Sequence, residues 1–181
     1  YSPGAFYHGF SGNYLGPAAL YYRSLTYERE EKLLDTSAIS RPQFKIKEHK
    51  KVIIHWVGPG NKTPEEWINF WADTITSSHY IIDKDGRQVL AVPENEVANH
   101  SGAKSNSSFD DIVFEFFKVH GNFYDPNRFT IGIEMIPNNR VTGTFSPETY
   151  WSTVGLTAEL MLRYGLDPSE DILRHYDILK A

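Results

Sequence analysis

The chain has 181 residues, 40% of them hydrophobic and 14% aromatic, enough to bury one good core rich in large flat side chains. A net charge of -5 gives no basic field for gripping nucleic-acid phosphates, and no apolar run nears the roughly 20 residues of a membrane span. Cysteine is absent, which excludes disulfides, thiolate metal ligands and a cysteine nucleophile among these residues.

The chain opens on Tyr1 rather than Met and without the charged-then-apolar layout of a signal peptide, so a processed or cut start is expected. Residues 1–40 stand apart, rich in Gly, Tyr and Pro from Tyr1 to Pro17 and charged from Tyr27 to Lys32. They read as an N-terminal extension packed on the main domain, or equally as a linker, with the principal domain at 41–181. From Lys51 onward strand and helix patterns alternate, which predicts an α/β fold, a single mixed central β-sheet flanked by helices.

The apolar run Val52–Val57 predicts a buried strand. Thr63-Pro64-Glu65-Glu66 is a capping box with proline at the first helical position, so a helix starts there, with Trp67, Phe70 and Trp71 on one face. His79–Asp83 and Arg87–Val92, joined at Asp85-Gly86, predict a hairpin. Phe109, Ile112, Val113, Phe116, Phe117 and His120 recur at helical spacing behind Ser108, predicting an amphipathic helix or lid. Thr130–Ile136 reads as a central strand. Ser146-Pro147-Glu148 opens a long helix carrying Tyr150, Val154, Ala158 and Met161 and ending at Gly165. Ile172–His175 is a short strand or ordered loop.

Three polar residues interrupt these apolar strands: His55, His175 and Glu134. A buried ring nitrogen needs a hydrogen-bond partner or a metal, and a buried carboxylate needs a cation, a donor or a proton. Taken singly, His55 is a satisfied core histidine, and Glu134 is half of an ion pair with Arg128 or Arg174. Taken together they cost too much unless they converge, and two imidazoles with a carboxylate can hold zinc and manage its water. Gly132, two residues before Glu134 on the same face, leaves space beside it. His79 reads as structural, His100 as a loop residue near a cleft, and His8, His49 and His120 as surface or packing residues. Serine-nucleophile and phosphate-cradling glycine motifs are absent.

The order of motifs over about residues 40–181 resembles the zinc-dependent N-acetylmuramoyl-L-alanine amidases, a family related to phage lysins and peptidoglycan recognition proteins. The segments that carry the likeness are Ser40-Arg41-Pro42, Val52 to Gly58, Ser77 to Gly86, Val92 to Gly102, Thr130 to Glu134, and Tyr164 to Pro168 leading to Leu173-Arg174-His175-Tyr176-Asp177. The resemblance implies Zn2+ as cofactor with His55 and His175 as ligands, and Glu134 working on the attacking water. It further implies Lys180 beside the oxyanion, and His100 facing a substrate of glycan and stem peptide. A third ligand, Cys or Asp, follows the second histidine by roughly eight to ten residues in such enzymes, and is therefore expected beyond Ala181. The segment from Ser105 to Arg128 is longer than the family's usual connection. The implied activity is cleavage of the amide between N-acetylmuramic acid and L-alanine in peptidoglycan, by a secreted or wall-associated enzyme or a phage lysin released to the wall. The alternatives are a recognition module that binds peptidoglycan without cutting it, and a zinc hydrolase of another amide.

Overall fold

The computed structural model describes residues 27–58, 61–101, 126–139 and 141–178. In chain order the elements are β1 (Arg29–Glu31), β2 (Lys51–Trp56), α1 (Pro64–Ala72), β3 (Tyr80–Ile82), β4 (Gln88–Leu90), a 3-10 turn at Pro126–Arg128, β5 (Thr130–Met135), α2 (Pro147–Tyr164), β6 (Ile172–Arg174) and the short α3 (His175–Ile178). The strands form one six-stranded sheet in the order β1-β4-β3-β5-β2-β6. Only the β3–β4 hairpin is antiparallel, so the sheet is mixed, as expected.

Successive side chains of a strand point to opposite faces, and both faces here are covered. On one, Ile81 and Val89 meet Trp67, Ile68 and Trp71 of α1. On the other, Tyr80, Ile82, Val52, Ile131 and Ile133 meet Leu156 and Leu160 of α2. Each fully buried isoleucine or leucine contributes about 1.5–3 kcal/mol of transfer free energy. Two-sided burial is the reason β2 and β5 read as largely apolar runs, interrupted by His55 and Glu134, rather than as alternating ones.

Helix α1 starts where the capping box puts it: Glu66 N–H donates to Thr63 Oγ1 at 3.3 Å and Thr63 N–H to Glu66 Oε2 at 2.8 Å. Its buried stripe is Trp67, Ile68 and Trp71. Phe70, predicted on that face, is 46% exposed, since it lies a quarter-turn away, where Lys62 covers its ring. Helix α2 also starts as predicted, on Ser146, whose Oγ accepts from Thr149 N–H at 3.0 Å, and it ends on left-handed Gly165. Of its predicted apolar row only Ala158 is buried; Tyr150, Val154 and Met161 line an open groove of about 670 Å³ against Ile54, Met135 and Ile172. Thr149, Thr153, Leu156 and Leu160 are among the residues buried at helical spacing. Two threonines fit there because their hydroxyls donate to Asp83 O and Thr149 O, each at 2.8 Å.

The sheet takes its edge strand from residues placed in the N-terminal extension. Arg29 to Glu31 pair in parallel with Gln88 to Leu90, and Leu34 N–H continues the ladder onto Ala91 O at 2.9 Å. The Arg29 guanidinium donates to both carboxylate oxygens of Glu159 at 2.9 and 2.6 Å, joining this strand to α2. The helix expected over 109–120 and Lys180 lie outside the described residues. Among the described residues no helix is long and apolar enough to cross a membrane.

Leu34 is 2% exposed within the core. Leu34→Ala is expected to cost about 2–4 kcal/mol of unfolding free energy, measured by urea denaturation. A loss under 0.5 kcal/mol would separate residues 29–34 from the cooperative fold.

Candidate active site

Parallel pairing sets the site. Strand β2 lies beside β5 with His55 opposite Glu134, and beside β6 with Ile54 opposite Arg174. His175 is the next residue, so it falls in the row of His55, and the three side chains line up across β6-β2-β5 near the carboxyl ends of the strands. His55 Nδ1 and His175 Nδ1 are 2.8 Å apart, their rings edge to face. The two histidines meet side chain to side chain, and Glu134 lies beside them by strand register.

The floor under the row is made of polar groups that hold each other. His79, expected to be structural, accepts Gly132 N–H on Nδ1 at 3.0 Å and contacts Glu96 O through Nε2 at 2.9 Å. Glu96 is gripped in turn by buried Arg41, Nε to Oε2 at 2.8 Å, which accounts for Arg41 in the sequence motif. His100 packs over Gly132, where a Cβ would come within 2.5 Å of its ring. The backbone amides of His100 and Ser101 donate to Asn127 Oδ1 at 3.1 and 2.9 Å.

The expectation that His100 faces substrate does not fit its position. It is 3% exposed, with Nδ1 2.9 Å from His55 Nε2 and Nε2 3.2 Å from Thr130 Oγ1. It stands behind His55, away from any open surface. Thr130 and Asn127, which hold it there, carried no role in the sequence reading. Thr130 was legible only as a polar residue on the Glu134 face, and Asn127 gave no signal.

Glu134 is buried, and its Oε2 has no hydrogen-bond partner among the described residues. The ion pairs that would have made it structural are not formed: Arg174 is engaged by Asp177, with Nη2 2.6 Å from Oδ1, and Arg128 lies over the Phe44 ring. Burial without a cation pushes the Glu134 carboxyl up to about 8. Burial, with smaller repulsion from His175 and His79, holds His55 down at about 3. Burial also lowers His175, partly opposed by the Ser101 backbone, and lowers His100 well below the ordinary range. The imidazoles are therefore neutral at pH 7, the state in which they ligate metals.

Among the described residues no set of three His, Cys, Asp or Glu side chains is arranged to hold a metal ion. Two donors do fit one. The facing nitrogens of His55 and His175, 2.8 Å apart, would need to part only to about 3.3 Å to sit as two ligands on one tetrahedral ion. His175 Nε2 and Glu134 Oε2 are the buried ionisable atoms left without partners in the described residues.

Two imidazoles and a desolvated carboxylate thus stand at the ends of three adjacent strands of a mixed-sheet α/β protein. The chain belongs to the N-acetylmuramoyl-L-alanine amidase family, whose profile matches residues 46–181. It is 31% identical over 142 residues to the N-acetylmuramoyl-L-alanine amidase BlyA of Bacillus subtilis (strain 168), a match covering 77% of this chain and 37% of BlyA. The chain thus spans well under half the length of that relative. Its fold is shared with the amidase LysC from Clostridium intestinale URNW, with a TM-score of 0.55 and 19% identity over 84% of this chain and 86% of that one. It is shared also with a mutant endolysin from Bacillus subtilis, with a TM-score of 0.58 and 22% identity over 83% and 84%.

Two outcomes follow for the metal-free protein. Gly132→Ala would press a methyl group into His100 and Ser78, with an expected loss of about 1–3 kcal/mol in urea unfolding and shifted His100 ring signals in NMR. Glu134, raised from 4.5 to about 8, binds a proton in the folded state that the unfolded chain releases. Its stabilising contribution is full below pH 4.5 and is lost as pH rises toward 8. His55, lowered from 6.5 to about 3, acts oppositely and only as pH falls below 6.5. Between pH 6.5 and 8 the wild type is therefore expected to lose stability at up to about 1.4 kcal/mol per pH unit, and Glu134→Gln to flatten that slope. Equal slopes would show that Glu134 is not desolvated.

Proposed function

We propose that this protein hydrolyses the amide joining the lactyl group of N-acetylmuramic acid to the L-alanine of the stem peptide in bacterial peptidoglycan, with zinc as cofactor. The observation that carries the reading is the row of His175, His55 and Glu134 set by strand register. Family membership supports the bond cleaved.

His55 and His175 would hold the ion through their facing Nδ1 atoms. When bound, zinc supplies Lewis acidity, polarising the scissile carbonyl and making water acidic enough to lose a proton near neutral pH. Glu134 accepts that proton and passes it to the leaving nitrogen, so that the products are a lactyl carboxylate and the free amine of alanine. Its burial beside the histidines suits it to both halves of the transfer, because a carboxyl poised near neutrality takes and returns a proton with little driving force lost. Lys180 is assigned, on the family likeness, to the oxyanion of the tetrahedral intermediate. The place of action is the bacterial cell wall, reached from outside the cell or by a lysin released to it.

The test measures new amino groups released from purified cell walls. Glu134→Gln is expected to lower kcat by about 10²–10⁴-fold with little change in KM. His55→Ala is expected to abolish zinc retention together with activity. Full activity in Glu134→Gln, or activity indifferent to zinc removal, would overturn the proposal. Wall binding by a wild-type protein that releases nothing would favour a recognition module instead.

A further inference from the structure

The buried histidines behind the site are joined in a line whose far end fixes the direction of every hydrogen bond in it. The line ends at Pro126 O, which accepts from the Thr130 hydroxyl at 2.8 Å. A carbonyl oxygen has no proton to give, so Thr130 spends its single O–H there. Thr130 Oγ1 is left as an acceptor toward His100 Nε2 at 3.2 Å. His100 therefore carries its proton on Nε2, and its Nδ1 is a lone pair. That lone pair faces His55 Nε2 at 2.9 Å, so His55 is the donor.

We propose that Thr130 and His100 are positioning residues that hold His55 in its Nε2–H tautomer, so that the Nδ1 lone pair points at His175. Each group is enclosed: Thr130, His100 and His55 are all buried, so water cannot replace a lost partner. The His100 ring cannot swing away. Asn127 holds its backbone, and its ring rests on Gly132, where no side chain would fit.

The reverse tautomer of His55 would put a proton on Nδ1 and aim it at the ligand position, which blocks coordination. Without an acceptor at Thr130, His100 can equally well protonate Nδ1 and donate to His55, which permits that reverse state. The hydroxyl of Thr130, two residues away from the donor set along the line, thereby governs whether His55 is competent to bind a cation. This consequence rests on the reading of His55 as a zinc ligand; the tautomer assignment does not.

The experiment reads histidine tautomers by two-bond 15N–1H correlation on the full chain labelled with 15N-histidine, as purified and after metal removal by chelation. It is paired with zinc affinity measured by competition against a chromophoric chelator. In the metal-free wild type, His55 and His100 are expected each to carry a proton on Nε2. Thr130→Val, close in shape but without the hydroxyl, is expected to mix the His55 tautomers and weaken zinc binding by about 10- to 100-fold; Thr130→Ser is expected to restore both. A wild-type His55 protonated on Nδ1 overturns the proposal, as does a Thr130→Val protein with unchanged tautomers and zinc affinity. A wild-type protein that keeps the Nε2 proton but binds no zinc upholds the relay and defeats the metal reading.

Discussion

Everything in the site depends on the register between three parallel strands. In a parallel pair the residues opposite each other point to the same side, so placing His55 against Glu134 delivers an imidazole and a carboxyl to one face, and extending the row into β6 adds His175. A slip of one residue in either pairing would turn one member of the set to the opposite face, into the apolar contacts with α2. That register is held by the packing of Ile53, Ile131, Ile133 and their neighbours, which are entirely buried. The hydrophobic core thus does the geometric work of the chemistry.

Low polarity around the row has two effects that reinforce each other. It keeps the imidazoles unprotonated, leaving lone pairs for a cation, and it raises the carboxyl toward neutrality, where proton transfer in both directions is easy. The same low polarity would make polar side chains intolerable without partners, and the layer behind the row answers that. His79, Glu96, Arg41, His100, Thr130 and Asn127 are bonded to one another or to backbone. Glu134 Oε2 and His175 Nε2 are buried without hydrogen-bond partners among the described residues, as are the hydroxyls of Ser78 and Ser101.

Much of the architecture was legible because local signals and tertiary needs agree. The capping box at Thr63, the Asp85-Gly86 hairpin and the Ser146 cap each begin or turn an element where the sequence marks it. The misreadings share a cause. Phe70 shares a face with Trp67 and Trp71 by helical spacing, and Tyr150 continues an apolar row, yet 46% and 52% of their surfaces are exposed. The positions actually buried on α2 include threonines, which sequence hydrophobicity places outside but which a helix can bury once their hydroxyls bond to carbonyls. The edge strand at Arg29–Glu31 escaped for a similar reason: it is all charge, and its partners are distant in sequence, Glu159 and Gln88 for Arg29 and Arg87 for Glu30.

The sequence by itself singled out His55, His175 and Glu134 as the candidate site residues. Imidazoles and a carboxyl in apolar strands are costly wherever they end up, and that cost is visible without coordinates. It could not determine what each polar residue faces. Whether Glu134 meets an arginine or stands alone, and whether His100 looks outward to substrate or inward to His55, depends on which loops the sheet order brings together across the chain. The tertiary structure decided those questions, because a hydrogen bond is settled by distance in space, and the residues that make these bonds lie 45 positions apart for His55 and His100 and 120 for His55 and His175.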